Sequence, residues 1–548
     1  MRAARLPAAI TTHDLALAGG LCAAGAAIRG PGLTSRDLWF DDAWAALPAH
    51  VALHDAVRMV VTTPLYTLAL RYWIIAGPAD TWWAQIPALV FGVAGIAGIY
   101  LLIRWLGFSR LAAFAAGAVV AASPITVMYS TRVKEYSADL LLACLVLWLF
   151  ERWRRAPSGP SMAVLGVVAL SALWISASTA AAVGGIAAAA VLVAWATPAL
   201  RRQVLALLAW LAVGSATLWL VFLRHLQPEL RANWRRHGFL FGYSSSRHVE
   251  YAFQQTFSGI VHGVFGAAIP YTFKGYALRT VPMALAIVTA LVLVALVVPP
   301  VVAVIRTKGR AASATTAAAA TVLLAIAGTV AGIAPLGDGR TDEALYPSML
   351  VLLVACAAGV ARALRVEGTQ RRVVRAVVAG VVAVGALWFG IAHVAEYPPT
   401  GVSSVLSELR ASGLLRPGDL LVVDGYESFT WGDEHLGPWA VSFQQGAIPW
   451  PMGFHVASLE RSVILSRDYL QPDATFPTLS QRSHRLWFIG PTVGGYSTSA
   501  PTPLWALPFH TPTLNFFLGP RGNGANGWRP VHPCCGDSGA YAWLFVHQ

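Results

Sequence analysis

The chain has 548 residues, of which 56% are hydrophobic and only 12% charged, with a mean hydropathy of +0.59. A soluble globule carries about a quarter charged residues, so the composition excludes a soluble domain and indicates a polytopic membrane protein. The formal net charge of +13 does not point to nucleic acid, because the basic residues gather in short gaps between apolar runs, the positive-inside pattern.

Taken in chain order, Arg2 and Arg5 precede a first apolar run at 8–28. It is long enough to cross and more runs follow, so we expect a retained anchor rather than a cleaved signal peptide. Next comes "LWFDDAWAAL", which places Asp41 and Asp42 side by side between tryptophans. Asp before "AWAALPA" suits a helix N-cap. With two acids present, one can cap while the other acts. The run 62–76, "TTPLYTLALRYWIIA", is about 15 residues long and contains Arg71, too short for an ordinary span that needs ~20 residues.

Further apolar runs fall near 84–104, 110–128, 138–151, 162–176, 178–197, 203–223, 281–304, 312–334, 344–363 and 373–394. If 62–76 lies flat on the outer surface, Arg104 and Arg110, Arg152, Arg154 and Arg155, Arg201 and Arg202, and Arg306, Lys308 and Arg310 all fall inside. If it crosses, every one of those loops flips and the charge rule fails. The expectation is therefore about eleven transmembrane helices, with 29–83, 129–137, 224–280, 335–343 and everything after 395 outside.

Two outer loops carry further chemistry. "MYSTRVKEYSAD" brings Arg132, Lys134, Glu135, Tyr136 and Asp139 to a membrane face; its plainer interpretation is a solvated turn with Arg132 and Lys134 snorkelling to water. Asp139 stands just inside an apolar run, where an ionisable group invites a functional explanation. "PLGDGRTDEALYP", 335–347, sets Asp338, Arg340, Asp342 and Glu343 ahead of a span. Arg340 is either an ion-pair partner or a phosphate ligand. A cation neutralises a leaving phosphate, and a carboxylate accepts an acceptor hydroxyl's proton.

The tail from 396 reads as a small extracytoplasmic α/β domain: a short helix in "SVLSELRASGLL", then strands in "RPGDLLVVDGY", "HRLWFIG" and "AYAWLFVHQ". Its tryptophans are expected as core or interface anchors rather than sugar-stacking platforms. Cys534 and Cys535 are adjacent, and a bond between neighbours is strained. No cofactor fingerprint and no Cys/His metal cluster is present in the sequence.

The ordered set "FDDAW", "TTPLY", "GPADTWWAQIPALVFG", "SPITVMYSTRVKEYSAD" and "PLGDGRTDEALYP" resembles the GT-C superfamily of polyprenyl-phosphate-sugar-dependent glycosyltransferases, near the bacterial relatives of protein O-mannosyltransferases. The likeness covers nearly all of 1–395. It departs at Asp42, where the family's pair usually ends in Glu, at Gln85, where the family has arginine, and at Arg132, where many relatives have Glu. The resemblance implies a GT-C-like helical membrane fold and an inverting transfer of a sugar, mannose or arabinose, from a polyprenyl-phosphate donor to a glycan, lipid or protein acceptor outside the cell membrane. It implies Asp41 as base with Asp42 beside it, and Lys134, Glu135, Tyr136 and Arg340 around the donor phosphate. No cofactor is implied with certainty, and the family leaves a divalent cation open. A lipid-sugar flippase or transporter is the rival class.

Overall fold

The computed structural model describes residues 10–34, 42, 45–50, 53, 56, 62–78, 81–225, 283–331, 333, 343–363, 408–409, 411–416, 419–423, 454–456, 463–465, 484–491, 527–536 and 540–548. The chain divides into two compact units, one of Met1–Pro31, Thr62–Tyr66 and Pro87–Glu396, the other of Gly32–Val61, Thr67–Ile86 and Tyr397–Gln548.

Helices dominate the first unit. They are α1 (Thr12–Arg29), the start of α2 (Pro64–Ile75), most of α3 (Thr81–Trp105), α4 (Arg110–Ala122), α5 (Pro124–Tyr129), α6 (Tyr136–Arg155), α7 (Gly159–Ile175), α8 (Ala180–Ala196), α9 (Arg201–Val221), α10 (Met283–Arg306), α11 (Ala314–Val330) and α12 (Tyr346–Ala363). Among the described residues, four helical stretches are long and apolar enough to cross a membrane: Trp82–Trp105, Ala177–Ala196, Pro198–Val221 and Glu343–Val360. The expected run at 373–394 lies outside the described residues. Small residues let the helices approach closely. A Cβ on Gly185 of α8 would collide with Ala317 and Thr321 of α11, and one on Gly95 of α3 with Leu140 of α6.

Charge clusters fix one end of this unit. Thr11 caps α1 in a capping box with Asp14, and the buried Asp14 carboxylate accepts from Arg104 Nε at 2.8 Å, Arg110 Nε at 3.0 Å and Tyr100 Oη at 3.2 Å. The start of α1, the end of α3 and the start of α4 therefore meet. Arg155 lies over the Trp105 ring at 4.5 Å, which brings the end of α6 to the same place. Glu151 accepts from Arg155 Nε at 2.8 Å and from the Ala314 backbone N–H at 3.0 Å, and Trp153 donates to Gln203 at 3.0 Å, adding the starts of α11 and α9. The turn after α10 joins them because Gly309, at φ +87°, sits against the Leu192 carbonyl with no room for a side chain. The basic clusters assigned to one face by the charge rule thus share one end of the unit.

Asp14 opens α1 and Arg104 closes α3, and the two touch, so these two helix ends meet at one end of the unit. Helix α2, at 12 residues, rises only about 18 Å, against ~30 Å of hydrocarbon.

The second unit contains a six-stranded mixed sheet of β1 (Leu420–Val423), β2 (Phe454–Val456), β3 (Val463–Leu465), β4 (Arg485–Pro491), β5 (Trp528–Gly536) and β6 (Ala540–His547), in the order β2-β3-β1-β4-β6-β5. β1 runs parallel to β3 and β4, and the remaining pairs are antiparallel. Asp419, just before β1, receives Arg485 Nε at 2.8 Å and Trp487 Nε1 at 3.0 Å. Trp487, Phe488, Trp528 and Phe545 are buried, so of the described sheet tryptophans Trp487 and Trp528 serve as core, as expected, while Trp543 of β6 is half-buried. The strands expected in "DLLVV", "HRLWFIG" and "AYAWLFV" are β1, β4 and β6. β5, which follows the turn at Gly527, holds Pro530 and Pro533 on an edge, where a missing N–H costs no ladder bond.

Candidate functional site

The end of the helical unit opposite Asp14 is built on the turn between α5 and α6. Pro124 at the first helical position starts α5, its fixed φ suiting a place where no N–H is needed. Thr126 Oγ1 donates back to the Val120 carbonyl at 2.6 Å, folding α5 against the end of α4. Residues 130–135 then wind as successive turns: Thr131 N donates to Met128 O at 3.1 Å, Arg132 N to Tyr129 O at 3.2 Å and Lys134 N to Arg132 O at 2.9 Å. Gly92 of α3 admits Ser130 where any Cβ would strike its hydroxyl.

Arg132 and Lys134 are 7% and 8% exposed, which corrects the expectation of a solvated, snorkelling turn. Their neighbours Ser130, Thr131, Ser137 and Asp139 are buried as well. Glu135 occupies the cap position of α6 and Tyr136 its first turn, both half-buried. The Tyr136 ring meets Tyr129 edge-on at 5.1 Å. Of the candidate site residues, Lys134, Glu135 and Tyr136 therefore lie together at the start of α6. Asp42 lies in a helical turn of the second unit and is buried. Asp41 and Arg340 lie outside the described residues.

Two further charged side chains belong to this end: Arg29, which no motif singled out, and Glu343 of the "PLGDGRTDEALYP" segment. Arg29 closes α1 and is fully buried. It donates to the carbonyls of Gly25 at 3.0 Å, Ala121 at 2.7 Å and Val120 at 3.2 Å, and to Thr126 Oγ1 at 3.3 Å. Glu343 opens a 3-10 turn, Glu343–Leu345, ahead of α12 and is also fully buried. Asp139 and Arg29 are the charges that act on Glu343, and Glu135 adds its field at Asp139. Neither carboxylate oxygen of Asp139 or of Glu343 has a hydrogen-bond partner among the described residues, and the hydroxyls of Ser137, Ser176 and Ser348 have none either. Ser176 and Ser178 stand next to Asp139 without reaching hydrogen-bond geometry. Thr63, just before α2, donates to the Ile175 carbonyl at the end of α7, so the "TTPLY" segment reaches this end too.

Buried polar atoms are nearly always paired, and a concentration of unpaired ones marks a place where a polar guest, a proton or a rearrangement completes the structure. Here the orphans come from α6, from the 176–179 turn and from the start of α12, all in one unit. Arg29 is the cation that acts on Glu343, and Arg132 and Lys134 lie in the same turn as Glu135. Among the described residues no group of three or more His, Cys, Asp or Glu side chains is able to hold a metal ion. Asp139 and Glu343 supply two carboxylates, short of the six or more oxygens that Mg²⁺ or Ca²⁺ takes.

The sequence signals differed in strength. Lys134, Glu135 and Asp139 were visible because charge is rare at the edge of an apolar run. Arg29 looked like the ordinary basic end of a first span, and Glu343 like an acid in a helix's first turn; only the fold brings the two together.

No family model matches the chain, and no curated protein matches it in sequence. Among solved structures it is similar to ArnT from Cupriavidus metallidurans in the apo state, with 13% identity and a TM-score of 0.50 over 97% of this chain and 98% of that one. It is similar to the same ArnT bound to undecaprenyl phosphate, with 14% identity and a TM-score of 0.51 over the same shares. A likeness that extends along almost the whole of both chains gives this chain the fold of these ArnT structures.

Proposed function

We propose that this chain is an inverting glycosyltransferase of the cell membrane. It moves a sugar, mannose or arabinose, from a polyprenyl-phosphate donor to an acceptor hydroxyl on a cell-envelope glycan, glycolipid or secreted protein. The observation that carries this is the likeness, end to end, to a GT-C enzyme solved with undecaprenyl phosphate. The α5–α6 turn adds support, because it buries Arg132 and Lys134 next to acids at one end of the helices. By the charge rule that end is extracytoplasmic, in a topology of eleven spans with the C-terminal domain outside.

In this proposal the acceptor hydroxyl gives its proton to the Asp41 carboxylate as its oxygen attacks the anomeric carbon. The bond from that carbon to the donor phosphate oxygen breaks, its electron pair leaves on the phosphate, and the configuration inverts, as in single displacements run by a base carboxylate. Lys134 and Arg340 take up the charge that grows on the leaving phosphate. Asp42 orients the segment, and Glu135 and Tyr136 border the donor. No step is routed through a metal.

One observation favours this over a flippase. In the described spanning helices every charged residue falls within five positions of a helix end, whereas transporters place polar groups at the midplane on broken helices. The test is to reconstitute the purified chain with a panel of radiolabelled polyprenyl-phospho-sugars and follow both sugar transfer and transbilayer movement of the donor. Transfer with no movement is expected. Movement of donor with no transfer from any donor supports the flippase instead.

A further inference from the structure

Asp42 lies between α1 and α2, in the described part of the segment that the charge rule places outside the membrane. Asp42, Ala45, Ala46 and Ala49 are all buried, and their spacing of i, i+3, i+4 and i+7 turns one helical face inward. Among the described residues that face is lined by small side chains. Arg71 reaches this segment from α2. It stands in the third turn of α2, half-buried, and its Nη1 donates to the carbonyl of Pro48 in the 3-10 turn Leu47–His50.

The helix that offers Arg71 is itself braced. Trp73 and Trp83 stack at 4.2 Å with planes 11° apart. Each indole N–H donates to the other's backbone carbonyl at 2.9 Å. Gly77, in the turn between α2 and α3, leaves the space that the Trp83 ring fills. An aromatic pair with two reciprocal hydrogen bonds makes the α2–α3 hairpin a stiff frame, and a stiff frame is what a reacting group needs to be held to within an ångström.

We propose that Arg71 is a positioning residue. It ties the segment of Asp41 and Asp42 to the α2–α3 hairpin and thereby sets the distance at which the base meets the acceptor hydroxyl. This accounts for an arginine in the middle of an otherwise apolar stretch. The proposal rests on the assignment of Asp41 as base.

The test measures kcat and donor KM for Arg71→Ala, Arg71→Lys and Arg71→Gln in the full-length protein, in the wild-type background and in an Asp41→Asn background. Arg71→Ala is expected to lower kcat about 10- to 100-fold, the scale of a misplaced catalytic group, with donor KM within about twofold. Arg71→Lys, which can still donate to Pro48, restores most of the rate. In the Asp41→Asn background Arg71→Ala adds no further loss, because groups that act as one unit are not additive. Wild-type kcat in Arg71→Ala, or a full independent loss on top of Asp41→Asn, overturns the proposal. If Arg71→Ala does not fold, Arg71→Gln decides: a fall in kcat at constant KM supports it, and a rise in KM at constant kcat overturns it. Full activity in Asp41→Asn alone removes the assignment of the base instead, so the two failures are distinguishable.

Discussion

At the scale of single residues, the molecule concentrates its cost in a few buried charges. Arg29 spends its guanidinium on three backbone carbonyls and a threonine, at the junction where α4 breaks into α5. Removing it takes these donors from the carbonyls and leaves Glu343 without the cation that acts on it. We expect Arg29→Met to destabilise the protein by about 3–5 kcal/mol, the usual scale for breaking a buried charged network, read as a lower thermal unfolding midpoint in detergent. Asp139 and Glu343 behave differently, because neither makes a hydrogen bond that the folded state depends on. Neutral isosteres remove charge there without removing a hydrogen-bond partner. Asp139→Asn and Glu343→Gln are expected to keep or raise the unfolding midpoint while lowering transfer at least tenfold. A lowered midpoint with unchanged transfer would make them structural.

At the scale of elements, the end of the bundle away from the candidate site is locked by ion pairs that do no chemistry in this account. Asp14 joins α1, α3 and α4, and Glu151 joins α6 to α11. Asp14→Asn should cost about 3 kcal/mol, because it leaves the half-buried Arg104 facing a neutral group. The kcat of the protein that folds should stay within twofold of wild type. A fall in kcat comparable with that of Asp139→Asn would mean that the two ends are coupled.

Much of this element scale was legible in the sequence, for a physical reason. Apolar runs and the arginines at their ends follow from the bilayer's thickness and charge asymmetry; the length of α2 and Arg71 left it ambiguous as a span, and the charge bias of the other loops decided the expectation. The tail strands β1, β4 and β6 announced themselves through β-branched and aromatic runs. What stayed hidden depended on distant contacts. Lys134 and Arg132 looked solvated because nothing local shows that α3 closes over their turn at Gly92. Arg29 and Glu343 are about 300 positions apart, and no local pattern pairs them. Short strands such as β2 and β3, three residues each, carry too little periodicity to be read.

At the scale of the whole molecule, two units divide the work proposed here, a helical unit carrying the α5–α6 turn and a second unit carrying Asp42 and the sheet. The topology is open to a chemical test. With Cys534 and Cys535 replaced by serine, Ala76→Cys and Ala156→Cys place thiols at exposed positions, one past α2 and one past α6. A membrane-impermeant thiol reagent added to intact cells should label the first at once and the second only after permeabilisation. The reverse pattern would put the α5–α6 turn on the cytosolic side, away from an outward-facing donor.

The central claim is that an acid on the first external segment draws the proton from the acceptor while the α5–α6 turn holds the donor phosphate. Single-turnover transfer from a saturating labelled polyprenyl-phospho-sugar, in wild type and in Asp41→Asn, tests it most directly. The account predicts a fall of about 10²- to 10⁴-fold, the range for a lost general base, with donor binding intact and an inverted product in the wild type. An unchanged rate in Asp41→Asn, or a product of retained configuration, would contradict it.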